Sequence, residues 1–133
     1  MSSDSPFEPP RGWLAKFRNA CRGLLASTRG QSSFAAHGVI TLLVIICGFA
    51  FGLSRIEWCL LLLCIALVAA LETINSAIEE LAKAVDTDFN PQVGRALDMA
   101  SGAVLFAALG AATVGLVIFV SRLLAALDWI TLA

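Results

Sequence analysis

No charged residue stands between Asp98 and Arg122. That stretch is the strongest constraint on the chain. At about 1.5 Å of helix per residue it crosses the roughly 30 Å hydrocarbon core of a bilayer. Two similar segments precede it. One covers about residues 34–53 and holds only His37 as a possible charge; the other runs from about 56 to 82. Lipid offers no partner to a backbone amide, so each segment must satisfy its own backbone as a helix. Composition points the same way. The chain is 59% hydrophobic and 14% charged, where a soluble domain is nearer half and a quarter. With 133 residues it reads as one domain, too small to hide the excess apolar surface inside itself. The expected fold is an all-α membrane protein with three transmembrane helices, at about 34–53, 56–82 and 95–122.

The flanks add detail. Residues 1–10 are polar and proline-rich, without the short apolar core of a cleavable signal, and are expected to be a disordered tail. Residues 11–29 alternate Trp13, Leu14, Phe17, Cys21, Leu24 and Leu25 with Lys16, Arg18, Arg22 and Arg29 at a helical period. A basic amphipathic helix of this kind lies in the headgroup layer; an ordinary helix packed on the protein is the alternative. Residues 11–133 form the single functional domain.

Five basic residues before the first span place the N-terminus in the cytoplasm. Lys83 and Arg95 then flank a cytoplasmic loop, and the 52–57 turn and the C-terminus face outward. Trp58 and Trp129 fall where an aromatic belt forms. Asn90 followed by Pro91 starts the last helix, predicted from Pro91 to about Leu127. Along it, Ala103, Ala107, Ala111 and Gly115 recur every fourth residue and permit close helix approach.

Some functions are excluded. No basic run with interleaved aromatics suggests nucleic acid. There is no phosphate-binding loop of either common glycine-rich kind. Cys21, Cys47, Cys59 and Cys64 lack metal-ligand spacing and read as small hydrophobes.

The chemistry sits at the end of the second span, in "LVAALETINSAIEEL". At about 100° per residue, Glu72, Asn75, Ser76, Glu79 and Lys83 fall in one stripe about 100° wide. Ionisable groups at such depth are costly and face protein or water, which makes them functional candidates. Glu79 and Lys83 also suit a plain i,i+4 ion pair at a wet helix end. Glu72 lies two turns deeper, where burial favours a general base. Glu72 and Glu79 are about 10 Å apart along the axis, so one metal ion cannot take both. Two tasks follow: Glu79 for a magnesium–phosphate site, Glu72 for a hydroxyl that must lose a proton.

"LETINSAIEEL" followed by "GRALDMASGAVLFAA" resembles the small bacterial integral-membrane diacylglycerol kinase family, which includes the undecaprenol kinases. The resemblance runs ungapped from about Phe17 to Phe119. "HGVITLLVIICGFAFGLSRIEWCLLLL" looks more like the undecaprenol kinase branch. The resemblance implies a homotrimer in the bacterial cytoplasmic membrane, with active sites between subunits at the cytoplasmic interface. It implies transfer of the γ-phosphate of Mg-ATP to a lipid hydroxyl, of undecaprenol or diacylglycerol. Glu72 then corresponds to the catalytic base and Glu79 to a Mg2+ ligand. Glu79, Asp88 and Asp98 serve the nucleotide, and Glu72, Asn75 and Phe34 the lipid substrate.

Three departures stand out. Gln31 replaces a second metal-ligating Glu, Ala35 a frequent Arg, and Leu97 a phosphate-binding Lys. Lys83 is a candidate for the missing cation. The departures motivate an alternative, a non-catalytic kinase-like membrane assembly protein. A channel lined by the acidic stripe is a third possibility.

Overall fold

The computed structural model describes residues 12–28, 32–85 and 90–131, with the side chains of 32, 33 and 129–131 outside the description. The expected tail at 1–10, Gln31, Asp88 and the Trp129 side chain therefore lie outside the described residues. Four helices account for nearly everything described: α1 (Trp13–Ser27), α2 (Ser32–Ala50), α3 (Arg55–Val85) and α4 (Pro91–Thr131).

Helix ends follow local chemistry. The first apolar segment was expected to stay helical to residue 53, but α2 stops at Ala50. Gly52 takes φ +60°, a conformation that favours glycine and closes a helix C-terminus. The Leu53 amide donates to the Gly48 carbonyl across this turn. Ser54 then starts α3 with a capping box. Its amide donates to Glu57 Oε2 at 2.6 Å, and the Glu57 amide donates to Ser54 Oγ at 3.4 Å. Asn90 caps α4 as expected, accepting from the Gln92 amide at 2.9 Å. α4 runs to Thr131, beyond the predicted Leu127.

α3 and α4 pack antiparallel and form the body of the molecule. Two contacts fix their register. Arg122 donates through Nε to Glu57 Oε1 at 2.9 Å and through Nη2 to Glu57 Oε2. Towards the other end, Ser101 Oγ donates to Asn75 Oδ1 at 3.4 Å. α2 folds back along α3 from the 51–54 turn. Trp58 lies over Gly48, so close that a Cβ there would stand 2.7 Å from the indole, and its ring meets Phe49 at 5.0 Å. The expected belt tryptophan thus sits half-buried in the corner between α2 and α3. Leu53, Leu61 and Ile118 form a small core at this end, with Val44, Phe51, Trp58, Val114 and Phe119 around it.

The apolar surface stays largely uncovered. α3 and α4 are each long and apolar enough to cross a membrane, and only 28% and 17% of their most apolar windows are buried. The core helix of a soluble protein would be mostly buried. α2 contributes a shorter apolar helix, Phe34–Ala50. Hydroxyls within the apolar helices bond to their own backbone: Thr73 to the Ala69 carbonyl, Thr113 to Leu109 and Ser121 to Val117. This is how polar atoms are satisfied where water is scarce. Trp13, Leu14 and Phe17 of α1 are exposed, and none of its residues is buried. The chain itself does not cover the apolar face of α1, which is what the headgroup-layer reading requires.

Candidate active site

The polar groups gather at the end of the molecule away from the 51–54 turn. Glu72, Asn75 and Ser76 are the buried polar residues among those described. Their spacing on α3 turns all three toward α2 and α4. Measured from Trp58, Glu72 lies about 21 Å along α3 and Glu79 about 31 Å. Glu72 thus lies within the length of one hydrocarbon layer counted from Trp58, and Glu79 at about its limit.

Glu72 is 3% exposed. His37 Nε2 of α2 stands 3.0 Å from Glu72 Oε1. Ser76 Oγ donates to the Glu72 backbone carbonyl, leaving that contact apart from the carboxylate. One turn toward the boundary, Asn75 Nδ2 donates to Glu79 Oε1 at 2.7 Å. Asn75 is held in turn by Ser101 of α4, so the amide orients the Glu79 carboxylate from a fixed position. Glu79 itself is half-buried.

A groove of about 650 Å³ leads away from the His37–Glu72 pair, between α2, α3 and α4. Phe34 and His37 stand at its head with Glu72, and Leu61 and Phe119 lie at its far end. Glu72 to Leu61 is about 16 Å of helix. The α4 wall is built from Ala108, Ala111, Ala112 and Gly115, whose small side chains leave the bore open. The lining is almost wholly apolar apart from the pair at its head, which suits an acyl or prenyl chain ending in a hydroxyl.

The remaining sequence candidates are placed as follows. Phe34 lines the groove. Asp98 is exposed on α4; the Asn75–Ser101 contact sets it level with Ile78 and Glu79. Leu97 falls at the same level. Lys83 Nζ donates to Glu80 Oε1 at 2.7 Å, in an exposed pair. All four cysteines are free. His37, Ser101 and the Glu57–Arg122 tie were not singled out from the sequence for these contacts.

Among the described residues, no three metal-ligating side chains come together. Mg2+ in phosphate sites takes one or two carboxylates, several waters and the phosphates themselves, not an all-protein cage. A single oriented carboxylate at the wet boundary, Glu79, fits that requirement.

An all-helical chain with bilayer-length apolar helices and a buried carboxyl heading a lipid-sized groove has the architecture of a membrane enzyme acting on a lipid. The model of the prokaryotic diacylglycerol kinase family matches residues 18–119, and the chain belongs to that family, a class of lipid kinases. It is 36% identical over 111 residues to the undecaprenol kinase of Bacillus subtilis (strain 168), covering 84% of this chain and 90% of that one. It is 34% identical over 86 residues to the diacylglycerol kinase of Escherichia coli (strain K12), covering 65% and 70%. Against the diacylglycerol kinase of Pseudomonas aeruginosa (strain PAO1), identity is 34% over 116 residues, 84% of this chain and 93% of the relative. These relatives favour the kinase over the non-catalytic alternative.

Proposed function

We propose that the chain transfers the γ-phosphate of ATP to the primary hydroxyl of a membrane lipid, an undecaprenol or a diacylglycerol. The observation that carries this reading is the buried Glu72 carboxyl at the head of an apolar groove. The lipid tail lies in the groove and brings its hydroxyl to Glu72. Glu72 takes the hydroxyl proton as the oxygen attacks the γ-phosphorus. The new O–P bond forms while the bond from phosphorus to the bridging oxygen breaks, and ADP leaves.

Glu79, oriented by Asn75, is the residue that would hold Mg2+, with Asp98 and the loop containing Asp88 beside the nucleotide. A bound Mg2+ neutralises charge on the phosphates. The separation of Glu72 from Glu79 keeps proton removal and phosphate binding apart. Phe34 packs on the lipid near its hydroxyl.

Residues 11–133 act as one unit, with α2, α3 and α4 as three spans in the bacterial cytoplasmic membrane, the N-terminus cytoplasmic and α1 on the inner surface. A homotrimer covers the uncovered apolar faces of α3 and α4. The relative from Bacillus subtilis tilts the choice toward undecaprenol.

The test is direct. Purified protein in lipid bilayers is given Mg-ATP labelled at the γ-phosphate and a panel of lipid alcohols. Labelled lipid phosphate is expected with undecaprenol, and Glu72→Gln should lower its rate by about 10²–10⁴-fold. No product with any alcohol, or full activity in Glu72→Gln, contradicts the reading.

A further inference from the structure

His37 is a polar side chain in an otherwise apolar stretch of α2, with no role in the reading above. It is partly buried, 29% exposed at the side chain, against a Glu72 side chain that is 4% exposed. We propose that His37 is a positioning residue for phosphoryl transfer. Its Nε2–H donates to Glu72 Oε1 and holds the carboxylate so that Oε2 meets the lipid hydroxyl arriving through the groove. The inference rests on Glu72 being the base.

Three observations support it. The heavy atoms are 3.0 Å apart, within hydrogen-bond reach. The terminal torsion of a glutamate is broad, and a donor fixed on another helix narrows it. Both residues also line the head of the groove, where the reacting hydroxyl must arrive. The partner helix matters. α2 is anchored to α3 at its other end by Trp58 over Gly48. The wall that shapes the lipid groove is therefore the wall that carries the donor.

Steady-state kinetics of lipid phosphorylation are compared for the native protein, His37→Gln, His37→Asn, His37→Leu and Glu72→Gln. A glutamine amide nitrogen reaches the position of Nε2; an asparagine amide reaches only that of Nδ1. The proposal predicts that kcat falls about tenfold or more in His37→Leu and His37→Asn and stays within about threefold in His37→Gln, with KM for ATP unchanged. A role in packing or general polarity would rank Asn with Gln. Native kcat in His37→Leu, or His37→Gln no better than His37→Asn, overturns the proposal. Should His37→Leu fail to fold, the Gln and Asn variants decide alone. If Glu72→Gln is inactive while the His37 variants are all active, this proposal falls and the base stands; if Glu72→Gln is fully active, the base assignment falls first.

Discussion

Asn75 shows how one side chain can tie a site together. Its amide nitrogen serves Glu79 on its own helix, and its oxygen takes the Ser101 hydroxyl of α4. Replacing Asn75 by Ala leaves the Glu79 carboxylate without that donor, and KM for ATP is expected to rise several-fold more than KM for the lipid. Leu97 is the complementary case. It lies four residues before Ser101 as Glu79 lies four after Asn75, so the antiparallel register brings the two level. Leu97→Lys places an ammonium beside the phosphate-handling end and is expected to lower KM for ATP by about fivefold or more, the scale of one charge-assisted hydrogen bond. Lys83→Ala should change either constant by less than about twofold, because an exposed ion pair contributes little. Initial-rate measurements over ATP concentration check all three.

At the scale of elements, the fold is two hairpins sharing α3. The close approach of α2 depends on Gly48, where an added methyl must displace the Trp58 indole. Gly48→Ala is expected to destabilise by about 1–3 kcal/mol through overpacking. Gly38→Ala, with nothing near its Cβ position, should be neutral or slightly stabilising. Tryptophan fluorescence melts in detergent compare them. Arg122→Met removes the partner of Glu57 and should lower the melting midpoint, more than Arg55→Met at the exposed start of α3.

Much of this was legible in the sequence. The helices, the Asn90 cap, the acidic stripe and the family could all be read from apolar runs, cap residues and two motifs. The groove and the cross-helix partners could not, because periodicity fixes which face a residue occupies but not what lies opposite. A signal was nevertheless present. His37 and Glu72 lie on opposite sides of the turn at 51–54, each within about five helical turns of it, and Glu57 and Arg122 lie near the far ends of α3 and α4 from the segment that joins them. Lone polar residues within about a helical turn of symmetric places in a hairpin can meet when it closes. Periodicity likewise leaves open which neighbour a long exposed side chain meets: Lys83 pairs with Glu80 at i−3.

On the scale of the whole molecule, polarity is sorted along one axis. Leu53, Leu61 and Ile118 close one end beside the Glu57–Arg122 pair, and Glu72, Asn75 and Glu79 gather at the other. An apolar groove leads away from the buried Glu72 carboxyl, and the half-buried Glu79 carboxyl lies about 10 Å further along α3. The central claim is that these two acids do different work. Lipid phosphorylation measured against Mg2+ concentration in native protein, Glu79→Gln and Glu72→Gln separates the roles. Glu79→Gln should need about tenfold or more Mg2+ for half-maximal rate while recovering much of its plateau. Glu72→Gln should keep the native Mg2+ requirement with a plateau lowered about 10²–10⁴-fold. A Glu72→Gln plateau restored by added Mg2+, or two variants with the same Mg2+ response, would contradict the account.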